Sequence, residues 1–256
     1  MIRLGLIIPL FAFILGALPA PAQACALRVG WDHFEPYQMR GPGGVPSGLD
    51  VEIMQHVLKL AGCTVSEYRE APWTRLLVEV EKGRVDVILS ANFTEKRNAY
   101  GRFSRWHRAV SYAAISYSQE PVARLRSIAD IMAGDPMVGT YRKAYLPPFV
   151  TAAVEHARVN QRLYEGVDFD KMLDLLEKGR LQVMLVEVVN PDATFQRVDR
   201  DEAFQVSKIE GSEEKLHFLY SRKSVSAATV TKIDAAIAAF VGSAGYKILF
   251  RKYLGR

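Results

Sequence analysis

Arg97 closes the segment Thr94-Glu95-Lys96-Arg97, and its guanidinium has the chemistry to hold a small acidic molecule, although most surface arginines are simply solvated. Its planar fork presents paired N–H donors that match the two oxygens of a carboxylate. Ser90 and Asn92 stand just before it, past the apolar run Val85 to Leu89. The carboxyl ends of strands are where open α/β sheets place ligands, so these two residues are candidates to complete a carboxylate site. Catalytic groupings are missing: the sequence shows no Ser-His-Asp order and no nucleophile elbow. The isolated histidines His33, His56, His107, His156 and His217 lack the helical or Cys-x-x-Cys spacing of a metal site. Gly41-Pro42-Gly43-Gly44 has glycines but neither follows a strand directly nor opens a helix, so it reads as a loop and not a phosphate cradle. The expectation is therefore a binding site with no catalytic residue, no metal and no cofactor.

The net charge of +5 is spread along the chain, without the basic stripe of a nucleic-acid binder. Residues 1–24 read as a cleavable export signal, with Arg3 as the positive start, an apolar run from Leu4 to Leu18 and the small-x-small site Ala22-Gln23-Ala24. Pro9 and Pro19 interrupt a run shorter than the ~20 apolar residues that a spanning helix needs. Cleavage leaves Cys25 at the new N-terminus, and Cys63 is the other cysteine of the chain. In an oxidising compartment the two can pair, provided the first two strands are parallel neighbours; the alternative is a lipid-modified Cys25, although Ala22 stands where such signals usually carry leucine. The reading is a periplasmic chain with a Cys25–Cys63 disulfide, monomeric by default.

The elements that must position Arg97 follow an α/β order. Leu27 to Trp31 is a short apolar run ending in a polar loop, Asp32 to Gly48. Ile53, Met54, Val57, Leu58 and Ala61 recur at helical spacing, with Asp50 as the expected cap and Gly62 as the stop. Thr64 to Tyr68 reads as a strand, Pro72-Trp73 opens a second helix, and Val85 to Leu89 suits a buried parallel strand. The pattern returns later: Glu81-Lys82-Gly83-Arg84 and Glu177-Lys178-Gly179-Arg180 are identical, and each lies between a helical pattern and an apolar run. Two such units predict two α/β lobes. Ser111 to Ser118 and Leu216 to Ser221 are expected to cross between them as strands, with helices at Ala227 to Val241 and Tyr246 to Leu254 closing the chain. The lobes are then 25–112 with 216–256, and 113–215.

In this order and spacing, Leu27-Arg28-Val29-Gly30, Gly48-Leu49-Asp50-Val51-Glu52, Gly83-Arg84-Val85-Asp86-Val87-Ile88, Thr94 to Arg97 and Phe103-Ser104 resemble the family 3 extracellular solute-binding proteins. That family comprises receptors for ABC importers. The resemblance implies the two-lobed periplasmic binding protein fold, type II, with a mostly parallel sheet in each lobe and two crossing strands. It assigns the ligand's carboxylate to Arg97, stacking walls to Phe34 and Trp73, an acidic contact to Asp32, and the ligand's ammonium group to Glu187. Each has a plainer reading: Trp73 as core, Asp32 as a cap, Glu187 as an exposed carboxylate at a helix start. The chain also departs from the family. Lys143-Ala144-Tyr145 stands where a Gly-Ser/Thr pair is usual, Gln182 replaces an Asp, and Trp106-His107 replaces Pro-Tyr. An extra acidic or polar group on the solute, meeting Arg142 or Lys143, would account for the first of these.

The implied function is a receptor that closes on a small carboxylate-bearing solute, an amino acid or related polar compound, and delivers it to the permease of an ABC importer. Two alternatives remain at this point: a periplasmic enzyme resembling the cyclohexadienyl or arogenate dehydratases, with Glu187 or His107 as general acid, and a binding module serving a sensor or a periplasmic redox enzyme.

Overall fold

The computed structural model of the chain describes residues 25–118, 127–142, 146–166, 169–188 and 203–255. The expected export signal at 1–24 and the segment Lys143-Ala144-Tyr145 lie outside the described residues. From the N-terminal side the chain runs β1 (Cys25–Trp31), β2 (Met39–Arg40), β3 (Pro46–Ser47), α1 (Leu49–Leu60), β4 (Cys63–Glu70), α2 (Trp73–Lys82), β5 (Val87–Asn92), α3 (Glu95–Tyr100) and the long β6 (Gly101–Tyr117). It continues through α4 (Ile128–Gly134), β7 (Val138–Tyr141), α5 (Pro148–Val159), β8 (Leu163–Gly166), α6 (Phe169–Glu177), β9 (Val183–Val188) and β10 (Phe204–Lys208). It then returns through β11 (Glu214–Ser221) to α7 (Ala227–Phe240) and α8 (Ala244–Leu254).

One sheet runs through the molecule in the order β4-β1-β5-β11-β6-β9-β7-β8, with β10 on β6. Its two ends are parallel: β1 pairs with β4 and β5, and β7 pairs with β8 and β9. The middle is antiparallel, because there the chain crosses and comes back. The first part of β6 pairs with β11, while Ser111 to Ile115 pair with β9 and Ala113 to Tyr117 with β10. Strand β6 therefore belongs to both halves. It begins at Gly101, ten residues before the β-prone stretch that starts at Ser111. Arg102, Arg105, Trp106, His107 and Arg108 hide that first part from a search for apolar runs, since only the neighbouring strands decide which of these side chains are covered.

Helices cover both faces of each half. In the first, Leu49, Ile53, Met54 and Val57 of α1 pack with Ile233 and Ile237 of α7 on Val29, Val87, Phe218 and Tyr220 of the sheet, and Leu76 and Val80 of α2 pack on Ile88 and Leu219 behind it. In the second, Val150, Ala153 and Val154 of α5 cover one face, and Met172, Leu173 and Leu176 of α6 cover the other. Each fully buried Leu or Ile contributes about 1.5–3 kcal/mol relative to leaving it exposed, so helix and strand faces hold each other in place. The repeated tetrapeptide does the same local work twice: Gly83 (φ 74°) and Gly179 (φ 63°) take the left-handed conformation that ends α2 and α6 and turns the chain towards β5 and β9.

Cys25 faces Cys63 in the β1–β4 register, and the two form a disulfide with Cα atoms 4.6 Å apart. Asp50 does not cap α1 as its position in the sequence suggests. The helix starts two residues earlier than such a cap implies, at Leu49 after Gly48, with no side-chain cap, and Asp50 turns inward to a fully buried position. Among the described residues no single helix is long and apolar enough to cross a membrane.

Candidate functional site

A cavity of about 290 Å³ opens between the two halves of the sheet. The first half supplies Asp32, His33 and Phe34 from the loop after β1, Trp73 at the start of α2, Ser90 and Asn92 at the end of β5, and Arg108 of β6. The second half supplies Thr140 and Tyr141 at the end of β7, then Arg142, and Leu185 and Glu187 of β9. Each wall is thus built from the carboxyl ends of parallel strands, the position that leaves backbone and side chains free to meet a ligand.

Seven of the eight residues expected to meet a ligand are in this lining: Asp32, Phe34, Trp73, Ser90, Asn92, Arg142 and Glu187. Arg97, the eighth, is not in the lining. Its amide donates to the Thr94 hydroxyl, the N-cap of α3, at 3.2 Å, which explains why the arginine follows the threonine by three residues. Its Nη1 donates to the carbonyl of Asn92 at 2.9 Å, and its guanidinium lies 5.4 Å from the centre of the Trp73 ring. Arg97 therefore touches two lining residues at the cavity margin. Trp73 fills both of its readings, since it packs against the core under α2 and also faces the cavity. Phe34 is 39% exposed and leans on Tyr37 at 5.3 Å between ring centres. Asp32 is a cap, but of α2: its Oδ2 accepts from the Trp73 amide at 2.8 Å, a service that Pro72, at the N-cap position, does not provide. The same contact fixes Trp73 in the cavity wall.

The sequence reading missed Arg108. It is 1% exposed, and its Nε and Nη2 donate to the two oxygens of Asp50 at 2.5 and 2.9 Å. Ser90 Oγ donates to the same carboxylate, and Ser90 holds a left-handed φ of 57°, a conformation uncommon for a side-chain-bearing residue. The Tyr37 ring lies 4.4 Å from the guanidinium carbon. Nη1 is left over: it is buried, has no hydrogen-bond partner among the described residues, and faces Glu187 Oε1 at 3.9 Å across the cavity. Asn92 Nδ2 is a second buried donor without a partner among the described residues. One signal in the sequence points to Arg108, a polar pair, His107-Arg108, immediately ahead of the run Ala109-Val110 that continues the strand.

Burial would raise the Asp50 carboxyl, but the Arg108 guanidinium at hydrogen-bonding distance holds it well below the usual carboxylate range. Burial pushes the Glu187 carboxyl up, against the opposing pull of Arg108. His107 is fully buried, stacks on Phe218 at 4.1 Å between ring centres, and lies 3.5 Å from Asp50 Oδ1. Burial pushes its pKa down despite that carboxylate, so the ring is neutral inside the fold.

A single α/β sheet with a cavity between two helix-covered halves defines the periplasmic binding protein architecture. The chain belongs to the bacterial extracellular solute-binding proteins, family 3, whose profile matches residues 27–256. No curated protein sequence matches it. Among solved structures it is similar to a histidine kinase sensor domain with similarity to periplasmic binding proteins, at a TM-score of 0.70 and 20% identity over 91% of this chain and 96% of that one. An ancestral arginine-binding protein bound to arginine matches at a TM-score of 0.70 and 17% identity, covering 90% of this chain and 98% of the other. An ABC uptake transporter substrate-binding protein from Streptococcus pneumoniae with bound histidine matches at 0.68 and 17%, covering 90% and 93%. At these identities the likeness concerns the fold.

Proposed function

We propose that the protein is a periplasmic receptor that captures a small carboxylate-bearing solute, an amino acid or a related polar compound, and presents it to the permease of an ABC importer. The observation that carries this reading is the cavity between the halves, lined by polar groups from both, including the Asn92 side-chain nitrogen, which has no partner among the described residues, with Arg97 bonded to the carbonyl of the same Asn92. Residues 1–24 act as the export signal and are removed. Residues 25–112 with 216–256 form one lobe and 113–215 the other, and they move about the two crossings, near Val110 to Tyr112 and Ile209 to Ser212. The solute meets Arg97, Asn92 and Ser90 on the first lobe, lies between Phe34 and Trp73 beside Asp32, and draws in Glu187 and Arg142 of the second. Only contacts missing from the open form favour closure, and Glu187 and Arg142 are those contacts.

Native mass spectrometry of the purified protein, followed by calorimetry with the twenty amino acids and with dicarboxylates, tests this. A retained or titrated carboxylate solute whose affinity falls at least ten-fold in Arg97→Ala is expected. A protein that carries no solute and binds none of the panel refutes it. A second reading is a binding module for a sensor, which the similarity to the histidine kinase sensor domain favours. Both readings share the cavity; co-purification with a permease or with a kinase separates them.

A further inference from the structure

We propose that Arg108 is a second anion-binding point in the cavity, so that the solute is an acidic amino acid carrying two carboxylates and one ammonium group. This rests on the receptor reading above and names its solute class. Asp50 uses its oxygens on Nε and Nη2 of Arg108 and on the Ser90 hydroxyl, which neutralises the guanidinium but leaves Nη1 without an acceptor among the described residues. A charged N–H donor left unpaired among the described residues in a buried wall is costly, and Arg108 lines the cavity, where a solute can supply the acceptor. Glu187 does not serve: at 3.9 Å its oxygen is beyond hydrogen-bonding distance from Nη1.

The geometry points instead to a solute that reaches both groups. A carboxylate oxygen on Nη1 and an ammonium nitrogen on Glu187 would sit side by side, each screening the other, across a pair of side chains 3.9 Å apart. Asn92 Nδ2, the other buried donor without a partner among the described residues, marks a separate position next to Arg97. Two donor positions for oxyanions with one carboxylate beside them match the three charges of glutamate or aspartate. An amide in place of the second carboxylate offers that donor only an uncharged carbonyl oxygen, and so a weaker hydrogen bond.

The test is calorimetry with L-glutamate, L-glutamine, L-aspartate and L-asparagine on the wild-type protein and on Arg108→Lys, which keeps a positive charge against Asp50 but removes the forked donor. In the wild type an acidic amino acid is expected to bind at least ten-fold more tightly than its amide, and Arg108→Lys should bring the two within about three-fold. An amide that binds as well as its acid in the wild type overturns the inference, and this comparison decides the matter even where the variant does not fold. So does a folded Arg108→Lys protein that keeps the full preference, or a wild type that binds only neutral amino acids; in both cases the receptor reading stands. A protein that carries no solute in native mass spectrometry and binds none of these probes overturns both readings.

Discussion

Replacing Asp50 by Asn tests the energetics of the cavity floor. The perturbation removes the negative charge from a carboxylate that is fully buried, while Arg108, at 1% exposure, keeps its positive charge. Breaking a buried ion pair by removing one partner costs about 3–5 kcal/mol, because the remaining charge is left uncompensated. Here Glu187 at 3.9 Å and the face of Tyr37 at 4.4 Å retain part of the compensation. The loss is therefore expected at the lower end, about 3 kcal/mol. For a chain of this size each kcal/mol corresponds to roughly 2–4 °C, so the unfolding midpoint should fall by roughly 6–12 °C. The assay is urea unfolding followed by circular dichroism, with the disulfide intact, alongside a thermal scan. The double variant Asp50→Leu with Arg108→Met removes both charges together and should recover most of the loss, since well-packed apolar replacements of buried pairs are often neutral or stabilising. A single-variant cost below about 1 kcal/mol would mean that water reaches the pair, and the reasoning about a buried, unsatisfied Nη1 would fall with it.

Removing the disulfide by Cys25→Ser with Cys63→Ser opens a loop of 38 residues, and a loss of about 2–4 kcal/mol is expected from the added freedom of the unfolded chain; equal denaturation midpoints with and without reductant in the wild type would contradict it. Asp32→Ala removes the acceptor that caps α2 at Trp73 and should cost about 1 kcal/mol, whereas Asp32→Asn, which keeps an oxygen there, should cost only a few tenths; equal losses would show that capping is not what Asp32 contributes. Burial holds the folded-state pKa of His107 below its ordinary 6.5, so as pH falls through that value the unfolded state binds more protons and stability falls, until the folded ring is protonated too. Urea midpoints measured at about pH 7.5 and about pH 5.5 should differ less in His107→Phe, which preserves the stack on Phe218, than in the wild type; identical differences in the two proteins would remove His107 from the account.

The sequence by itself determined what depends on near neighbours. The helical spacing of α1 and the glycine that ends each repeated helix are local, and each stands where its pattern predicts, whereas β5 runs from Val87 to Asn92, two residues later than the apolar run Val85 to Leu89 suggests, and takes in Ser90 and Asn92. The strand-end position pointed to Asn92 and the family pattern added Trp73 and Glu187, and the fold brings all three to one cavity. Tertiary structure alone decided the pairing of Asp50 with Arg108, which lie 58 residues apart in the chain. It also decided that Asp32 caps a helix 41 residues away and that β6 starts at Gly101. The physical reason is the same in each case. A charged side chain declares in sequence only that it needs a partner or water, and the partner is chosen when strands from distant parts of the chain become neighbours and exclude the water between them.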